Sequence, residues 1–423
     1  MRVFVGLSLL LFSPLRAEQC LVIGDSLTKE YEAEFPGLYQ QNPASWQARN
    51  WIEILHQHRT DWFDTGTWDV YADPRLTGHT YNWAFPGATT TEIKNLLSNF
   101  FNGWWTNSLK NHLRHDVERV VIFAGGNDAD SYYANLYNGF IGPEVTNPTL
   151  GNLQWLVNYV RTVNAALPIV LVSVPHVGCT PKIQQGYPTD PVKTARVTAA
   201  MDALNASLAT YAQSQGIGFA PGVYEFTKAM ITQPLRIKGI EFYRVADADS
   251  RTRFVFGGDG FHPNTCAHTK IAQMIVAAFN TAYPGTPITP LDDDYIITNV
   301  LGLDHNIPFN EWLAAQGATG GFNDDADGDG VPNLTEFAID GFTAGASDIA
   351  NLPRPVMQNG ALKLTWRPRP LFAEWGVLKA QSSPDLTDWT DVPASQIVTN
   401  ADGTVTVSAN LAGRGFVRLK ATK

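Results

Sequence analysis

The feature that most constrains this chain is the alternation of short apolar runs with helix-like segments over residues 20–282. Residues 21–23, 117–123, 169–174 and 217–220 are mainly apolar runs too short for helices, interrupted only at Glu118, Arg119 and Ser173, of the kind that form strands buried on both faces. Helical patterns lie between and after them: residues 150–166 end before Pro168, residues 192–215 stop at Gly216, and residues 265–281 close the series. Residues 47–58 read as a shorter helix with Trp51, Ile52 and Leu55 on one face. Such alternation predicts an α/β fold, a mainly parallel sheet with helices on both faces.

The Pro-rich run from Tyr283 to Pro290 reads as a stiff linker and is the best domain boundary. At 423 residues the chain exceeds one typical domain. We expect a first domain over residues 18–283, a linker segment over 284–350 and a small β domain over 351–423. With 12 Trp, 14 Tyr and 22 Phe the chain can build a large core. Its formal charge of -10 excludes the basic face a nucleic-acid partner requires.

Residues 1–17 have the form of a secretory signal: Arg2, an apolar run from Val3 to Phe12, and a cleavage site ending at Ala17. Secretion, or a periplasmic or cell-surface location, is therefore expected. The three cysteines, Cys20, Cys179 and Cys266, permit one disulfide or none, and their spacing fits no zinc site.

The strand-like runs end in residues with chemistry. Gly24-Asp25-Ser26-Leu27 follows the first, presenting Ser26 at the rim where α/β folds hold ligands. Gly87 follows Pro86 after an aromatic stretch, with Thr90 or Thr91 capping the next helix. Gly125-Gly126-Asn127-Asp128 follows residues 117–123, and Asp259-Gly260-Phe261-His262 follows Phe254–Phe256. Serine hydrolysis needs a nucleophile, a base, an acid to orient the base, and oxyanion donors. Ser26, His262 and Asp259 can supply the first three. The Ser26 and Gly87 N–H groups and the Asn127 amide can supply the last. All are protein groups, so no cofactor is expected for catalysis.

These blocks resemble those of GDSL-type SGNH hydrolases. The resemblance implies Ser26 as nucleophile, Asp259 and His262 as its triad partners, and Ser26, Gly87 and Asn127 as the oxyanion hole. It also implies a flavodoxin-like α/β/α sandwich over about residues 20–282. The aromatic insertion between the first two blocks is long, and we expect it to build the substrate rim. Residues Val174 to Pro181 resemble a segment of longer, lipase-like members; His176 within it is a candidate pocket residue. The aromatic cluster Phe100-Phe101 and Trp104-Trp105 is core or substrate wall.

A second signal is Asp325-Ala326-Asp327-Gly328-Asp329-Gly330-Val331-Pro332-Asn333-Leu334-Thr335-Glu336. Asp325, Asp327, Asp329, the Val331 carbonyl, Asn333 and Glu336 fall at calcium-loop positions, and Gly330 permits the turn. The loop resembles those of EF-hand, dockerin and thrombospondin type 3 repeats, which implies one structural Ca²⁺. From Leu352 the chain is β-like, with strands expected at residues 361–366, 375–381, 403–408 and 415–419, suggesting a β-sandwich. Residues Ser382 to Trp389 resemble a stretch of C-terminal β modules in exported bacterial proteins. Such a module could contact carbohydrate or a cell surface, with Trp366, Trp375 and Trp389 as sugar platforms or core.

The reading that follows is a secreted serine esterase acting on short acyl esters of carbohydrates or small alcohols. The alternatives are a lipase or phospholipase-type acylhydrolase and a non-catalytic, calcium-dependent carbohydrate-binding protein.

Overall fold

The computed structural model describes residues 17–34, 48–246, 253–409 and 415–423. The signal-like segment, except Ala17, lies outside them, as does Gln47 of the expected helix. The chain divides into two compact units.

The first unit is built on a five-stranded sheet: β1 (Cys20–Gly24), β2 (Asn82–Ala84), β3 (Arg119–Phe123), β4 (Ile169–Val172) and β5 (Gly218–Ala220). Its order is β2-β1-β3-β4-β5, and every pairing is parallel. This is the doubly wound, flavodoxin-like order, in which ligands sit at the carboxyl ends of the strands where the order reverses, here beside β1.

Apart from Asn82 and Arg119, which open β2 and β3, the strands are apolar because both faces are covered. On one face Leu21, Ile23, Val120, Ile122, Ile169 and Leu171 form a core. They share it with α3 (Thr90–Ser98), α4 (Gly103–His115), α5 (Gly126–Asn138), α6 (Asn147–Val163) and α7 (Pro191–Ser214). Strand alternation turns Val22, Val121 and Phe123 the other way. There α2 (Trp51–His58) sets Trp51 against Phe123, with ring centroids 6.3 Å apart. On α8 (Thr265–Ala282), Phe279 meets Phe63 at 5.8 Å.

Several elements differ from, or add to, what the sequence pattern suggests. The cap of α3 is Thr89, one residue before the two candidates, because it forms a reciprocal capping box with Glu92. Residues 126–138, which the turn-forming Gly-Gly-Asn-Asp disguises, are helix α5, entered through left-handed Gly125 (φ 113°). Strand Phe254–Phe256 pairs with the strand Ile240–Ala246 and stays outside the five-stranded sheet. The Pro-rich run is also anchored: Ile288 is buried, and its N–H and carbonyl both bond the Asn280 amide.

The second unit comprises residues 236–241 and 297–423. Helices α9 (Ile307–Ala315), α10 (Asn333–Ala338) and α11 (Pro370–Trp375) pack Phe309, Trp312, Phe337, Phe372 and Trp375 into one aromatic core. Trp375, expected in a strand, ends α11 because Pro370 opens a helical turn there. Two antiparallel sheets follow. One contains Ala361–Trp366 and Val405–Ala409, the other Val377–Ser383 and Phe416–Thr422. Leu364, Trp366, Ala380 and Val407 meet in a small core. Trp366 and Trp375 are therefore core residues, and the half-buried Trp389 ring is covered by Arg418 at 4.1 Å.

Candidate active site

Ser26 stands two residues past the end of β1, in a turn that Asp25 organises. The buried Asp25 carboxylate accepts hydrogen bonds from the N–H groups of Leu27 (3.0 Å), Gly125 (3.0 Å) and Gly126 (3.1 Å). One side chain thus fixes the Ser26 turn and ties it to the β3–α5 turn. Burial pushes its pKa up to about 6 despite those three N–H donors. Gly24 is required by close approach: a Cβ there would lie 2.2 Å from the Phe123 carbonyl oxygen.

His262 Nε2 lies 2.9 Å from Ser26 Oγ, and Nδ1 pairs with Asp259 Oδ2. Asp259 Oδ1 in turn accepts from the N–H groups of Phe261 (2.9 Å) and His262 (3.0 Å), which locks the carboxylate in its own turn. Burial alone would raise the Asp259 pKa, but the hydrogen bond and charge of His262, together with the N–H bonds from Phe261 and His262, outweigh it and hold the carboxyl below its ordinary range. For His262 the same pair acts in reverse. Burial would lower the imidazole, and Asp259 raises it above its ordinary value. With Nδ1–H donating to Asp259, Nε2 is left as the acceptor for the Ser26 hydroxyl.

Gly87 adopts φ +74° after Pro86, a left-handed conformation that favours glycine, and an added Cβ there would meet nothing within 4 Å. Asn127, in the first turn of α5, donates from Nδ2 to the Ala88 carbonyl at 3.1 Å. The next residue, Asp128, ties both segments together. It accepts from Thr90 N (2.8 Å), Thr90 Oγ1 (2.6 Å) and Thr149 Oγ1 (2.9 Å).

Ser26, Gly87, Asn127, Asp259 and His262 all line one cavity of about 270 Å³. Glu34, at the end of α1 (Tyr31–Glu34), and Lys182 line it too. A wider groove of about 570 Å³ opens from Gly87 along α3 to Asn102. Phe101 and Trp104, on either side of Asn102 in sequence, are exposed, whereas Trp105 is core, stacked on Trp83. His176 does not line this cavity. It is wholly buried, pairs with Thr198, and burial lowers its pKa to about 4. The part of the aromatic insertion at residues 35–47 lies outside the described residues. Of the rest, Trp51 is core, and His79 is held by the buried Glu30, whose carboxylate accepts from the His79 N–H at 3.0 Å. Asp25, Asp128 and Glu34 carry site geometry that the sequence reading did not assign. The first two adjoin Ser26 and Asn127 and could have been suspected from that; nothing around Glu34 in the sequence marks it.

The model of the GDSL-like lipase/acylhydrolase family matches residues 22–270. The chain belongs to the GDSL-like lipase/acylhydrolase family. For this GDSL-like chain, hydrolase action on ester substrates is what membership assigns. No curated protein matches it. Among solved structures, it is similar to a GDSL-like lipase from Bacteroides thetaiotaomicron, at 15% identity and a TM-score of 0.33, over 63% of this chain and 89% of that one. A chain from Bacteroides fragilis assigned as an acylhydrolase gives 15% identity and a TM-score of 0.30, over 62% and 87%. A chain from Parabacteroides merdae assigned as a GDSL-like lipase gives 15% and 0.34, over 62% and 97%.

In the second unit, ligand atoms of Asp325, Asp327 and Asp329 lie within 4.8 Å of one another, a surface cluster that could chelate a metal ion. The loop is wound on its own carboxylates. Asp325 accepts from the N–H groups of Gly328 (2.8 Å), Asp329 (3.1 Å) and Gly330 (2.7 Å), and Asp329 from Val331 (2.8 Å). Asn333 Oδ1 accepts from the Ala326 N–H at 3.1 Å. Glu336 is fully buried with neither oxygen hydrogen-bonded, and Asp327 Oδ2 is likewise buried and unbonded. Burial, with the nearby carboxylates, pushes Glu336 up to about 8. The unsatisfied, buried Glu336 carboxylate and the unbonded Oδ2 of Asp327 add donor oxygens to the acidic cluster, a set that suits a hard cation. All three thiols are buried and free. Among the described residues no helix is long and apolar enough to cross a membrane.

Proposed function

We propose that this protein is a serine esterase that cleaves short acyl esters of carbohydrates or small alcohols through an acyl-enzyme. The observation that carries the reading is the hydrogen-bonded line from Asp259 through His262 to Ser26. As Ser26 Oγ attacks the ester carbonyl carbon, its proton passes to His262 Nε2. The carbonyl π pair moves to oxygen, where N–H groups of Ser26 and Gly87 and the Asn127 amide stabilise the negative charge. Collapse expels the alkoxide, which takes the Nε2 proton and leaves as alcohol. Water then attacks the acyl-serine, gives a proton to Nε2, and Ser26 recovers it as the acid departs.

Hydrolysis of p-nitrophenyl esters from acetate to palmitate by the protein and its Ser26→Ala variant tests this. Serine-dependent turnover falling with chain length supports it. A second reading, a lipase, is favoured by the exposed rings of Phe101 and Trp104 and gives a long-chain maximum. Absent turnover leaves a non-catalytic binding protein, and turnover that Ser26→Ala retains overturns the serine mechanism.

We further propose that Asp325, Asp327, Asp329, the Val331 carbonyl, Asn333 and Glu336 hold one Ca²⁺ that stiffens the second unit, whose paired sheets we read as a small β-sandwich suited to carbohydrate or cell-surface contact. Support comes from the loop register and the unsatisfied Glu336. Export with cleavage near Ala17 is proposed on the sequence of residues 1–17, and N-terminal sequencing of the mature protein tests it.

A further inference from the structure

The candidate cavity holds a carboxylate that the proposed mechanism does not use. Glu34 lines it and sets Oε1 4.0 Å from His262 Nε2, the same nitrogen that lies 2.9 Å from Ser26 Oγ. Its second oxygen, Oε2, is buried with no hydrogen-bond partner. A buried polar atom without a partner costs free energy unless a ligand satisfies it. The groups facing Glu34 are mixed in sign. His262 and Lys29 favour its ionised form, Asp25 and Asp259 oppose it, and burial dominates, pushing it up to about 7.

The chemistry of the base fixes which part of a substrate meets this carboxylate. Nε2 must hand its proton to the oxygen of the departing alcohol, so that oxygen sits beside Nε2 in the breakdown step. Glu34 flanks the same nitrogen. A group one or two carbons beyond the ester oxygen then approaches the Glu34 carboxylate on its Oε1 side. An acceptor oxygen placed there is satisfied by a hydroxyl and left unpaired by an alkyl chain. Sites built to bond a substrate hydroxyl discriminate strongly against analogues that lack it, because their buried polar group is stranded.

On the serine-esterase reading above, we infer that Glu34 is the specificity-determining residue for the alcohol: it accepts a hydrogen bond from a hydroxyl adjacent to the esterified oxygen, selecting acylated polyols over simple alkyl esters. The shared chemistry is a free hydroxyl vicinal to the ester, found on partly acylated sugars and on acylglycerols alike.

The test uses the whole protein and two acetates that differ in one group, 2-hydroxyethyl acetate and propyl acetate. For the unaltered protein, kcat/KM should favour the hydroxy ester by about tenfold or more. In Glu34→Leu that ratio should collapse to about one, and in Glu34→Gln, which keeps an acceptor oxygen, it should fall only in part. Any general effect of these substitutions on the imidazole acts on both esters and cancels in the ratio. An equal preference for the two esters in the unaltered protein, or a ratio that Glu34→Leu leaves in place, overturns the inference. The underlying reading fails separately, if Ser26→Ala retains turnover of both. Monoacetylglycerol against a mono-O-acetyl methyl xyloside, run in the same way, distinguishes the two sources of the hydroxyl.

Discussion

Asp128 holds Thr90 by two hydrogen bonds, one from the backbone N–H at 2.8 Å and one from the hydroxyl at 2.6 Å. This clamp joins the residue after Asn127 to the segment three residues beyond Gly87, so two of the three proposed oxyanion donors, Gly87 and Asn127, ride on it. Asp128→Asn keeps the shape but puts an amide NH₂ where an acceptor is needed. Stranding a buried donor costs about 1–3 kcal/mol. We expect a lower denaturant midpoint and a drop in kcat that exceeds any rise in KM, because a donor moved from the oxyanion is missed mainly in the transition state. Urea melts and p-nitrophenyl acetate kinetics check both.

The pair Asp259–His262 predicts a pH dependence. Only neutral His262 can accept the Ser26 proton, and its pKa is raised above the ordinary imidazole value. Activity should therefore climb with pH, with the midpoint of the acid limb above that value. Asp259→Asn removes the charge that raises the pKa. Its acid limb should move to lower pH while the plateau falls by on the order of 10³-fold or more. A limb that stays in place would remove Asp259 from this role.

Gly24 makes a steric prediction. A Cβ there would press on the Phe123 carbonyl and on Thr28, at 2.2 Å and 2.4 Å, between two paired strands. Gly24→Ala should cost about 1–3 kcal/mol of stability, as overpacked cores do. Gly87→Ala meets open space and carries only the strain of φ +74°, so its thermal midpoint should move less. Calorimetry of the two variants ranks them.

The calcium proposal predicts a thermal midpoint that rises with Ca²⁺ and falls on chelation, since a ligand bound only by the folded state stabilises it in proportion to the logarithm of its concentration. Glu336→Gln should abolish most of that rise. Calorimetry with EDTA, Ca²⁺ and Mg²⁺ separates a calcium site from a general charge effect.

Much of the fold was legible because its strands are buried on both faces and so read as mainly apolar runs, from Leu21 to Val172. Helix α5 was not, since its first turn is written in Gly, Asn and Asp, residues whose local preference is for turns. The strand at Phe254–Phe256 shows the limit of periodicity: an apolar run announces a strand but not the sheet it joins. Trp375 was misassigned for a related reason, because an aromatic suits a strand and a helix end equally well. At the site, Ser26, Gly87, Asn127, Asp259 and His262 stand in recognisable local patterns. Glu34 does not, because its place beside His262 is made by a contact 228 residues away in the chain.

The most direct measurement of the central claim is labelling by diethyl p-nitrophenyl phosphate, followed by peptide mass spectrometry. A serine activated by His262 displaces p-nitrophenolate and keeps the diethylphosphoryl group. The account predicts one equivalent of p-nitrophenolate per chain, a modification located on Ser26, and matching loss of esterase activity. Ester turnover that persists with Ser26 unlabelled, or a label on another residue, would contradict it.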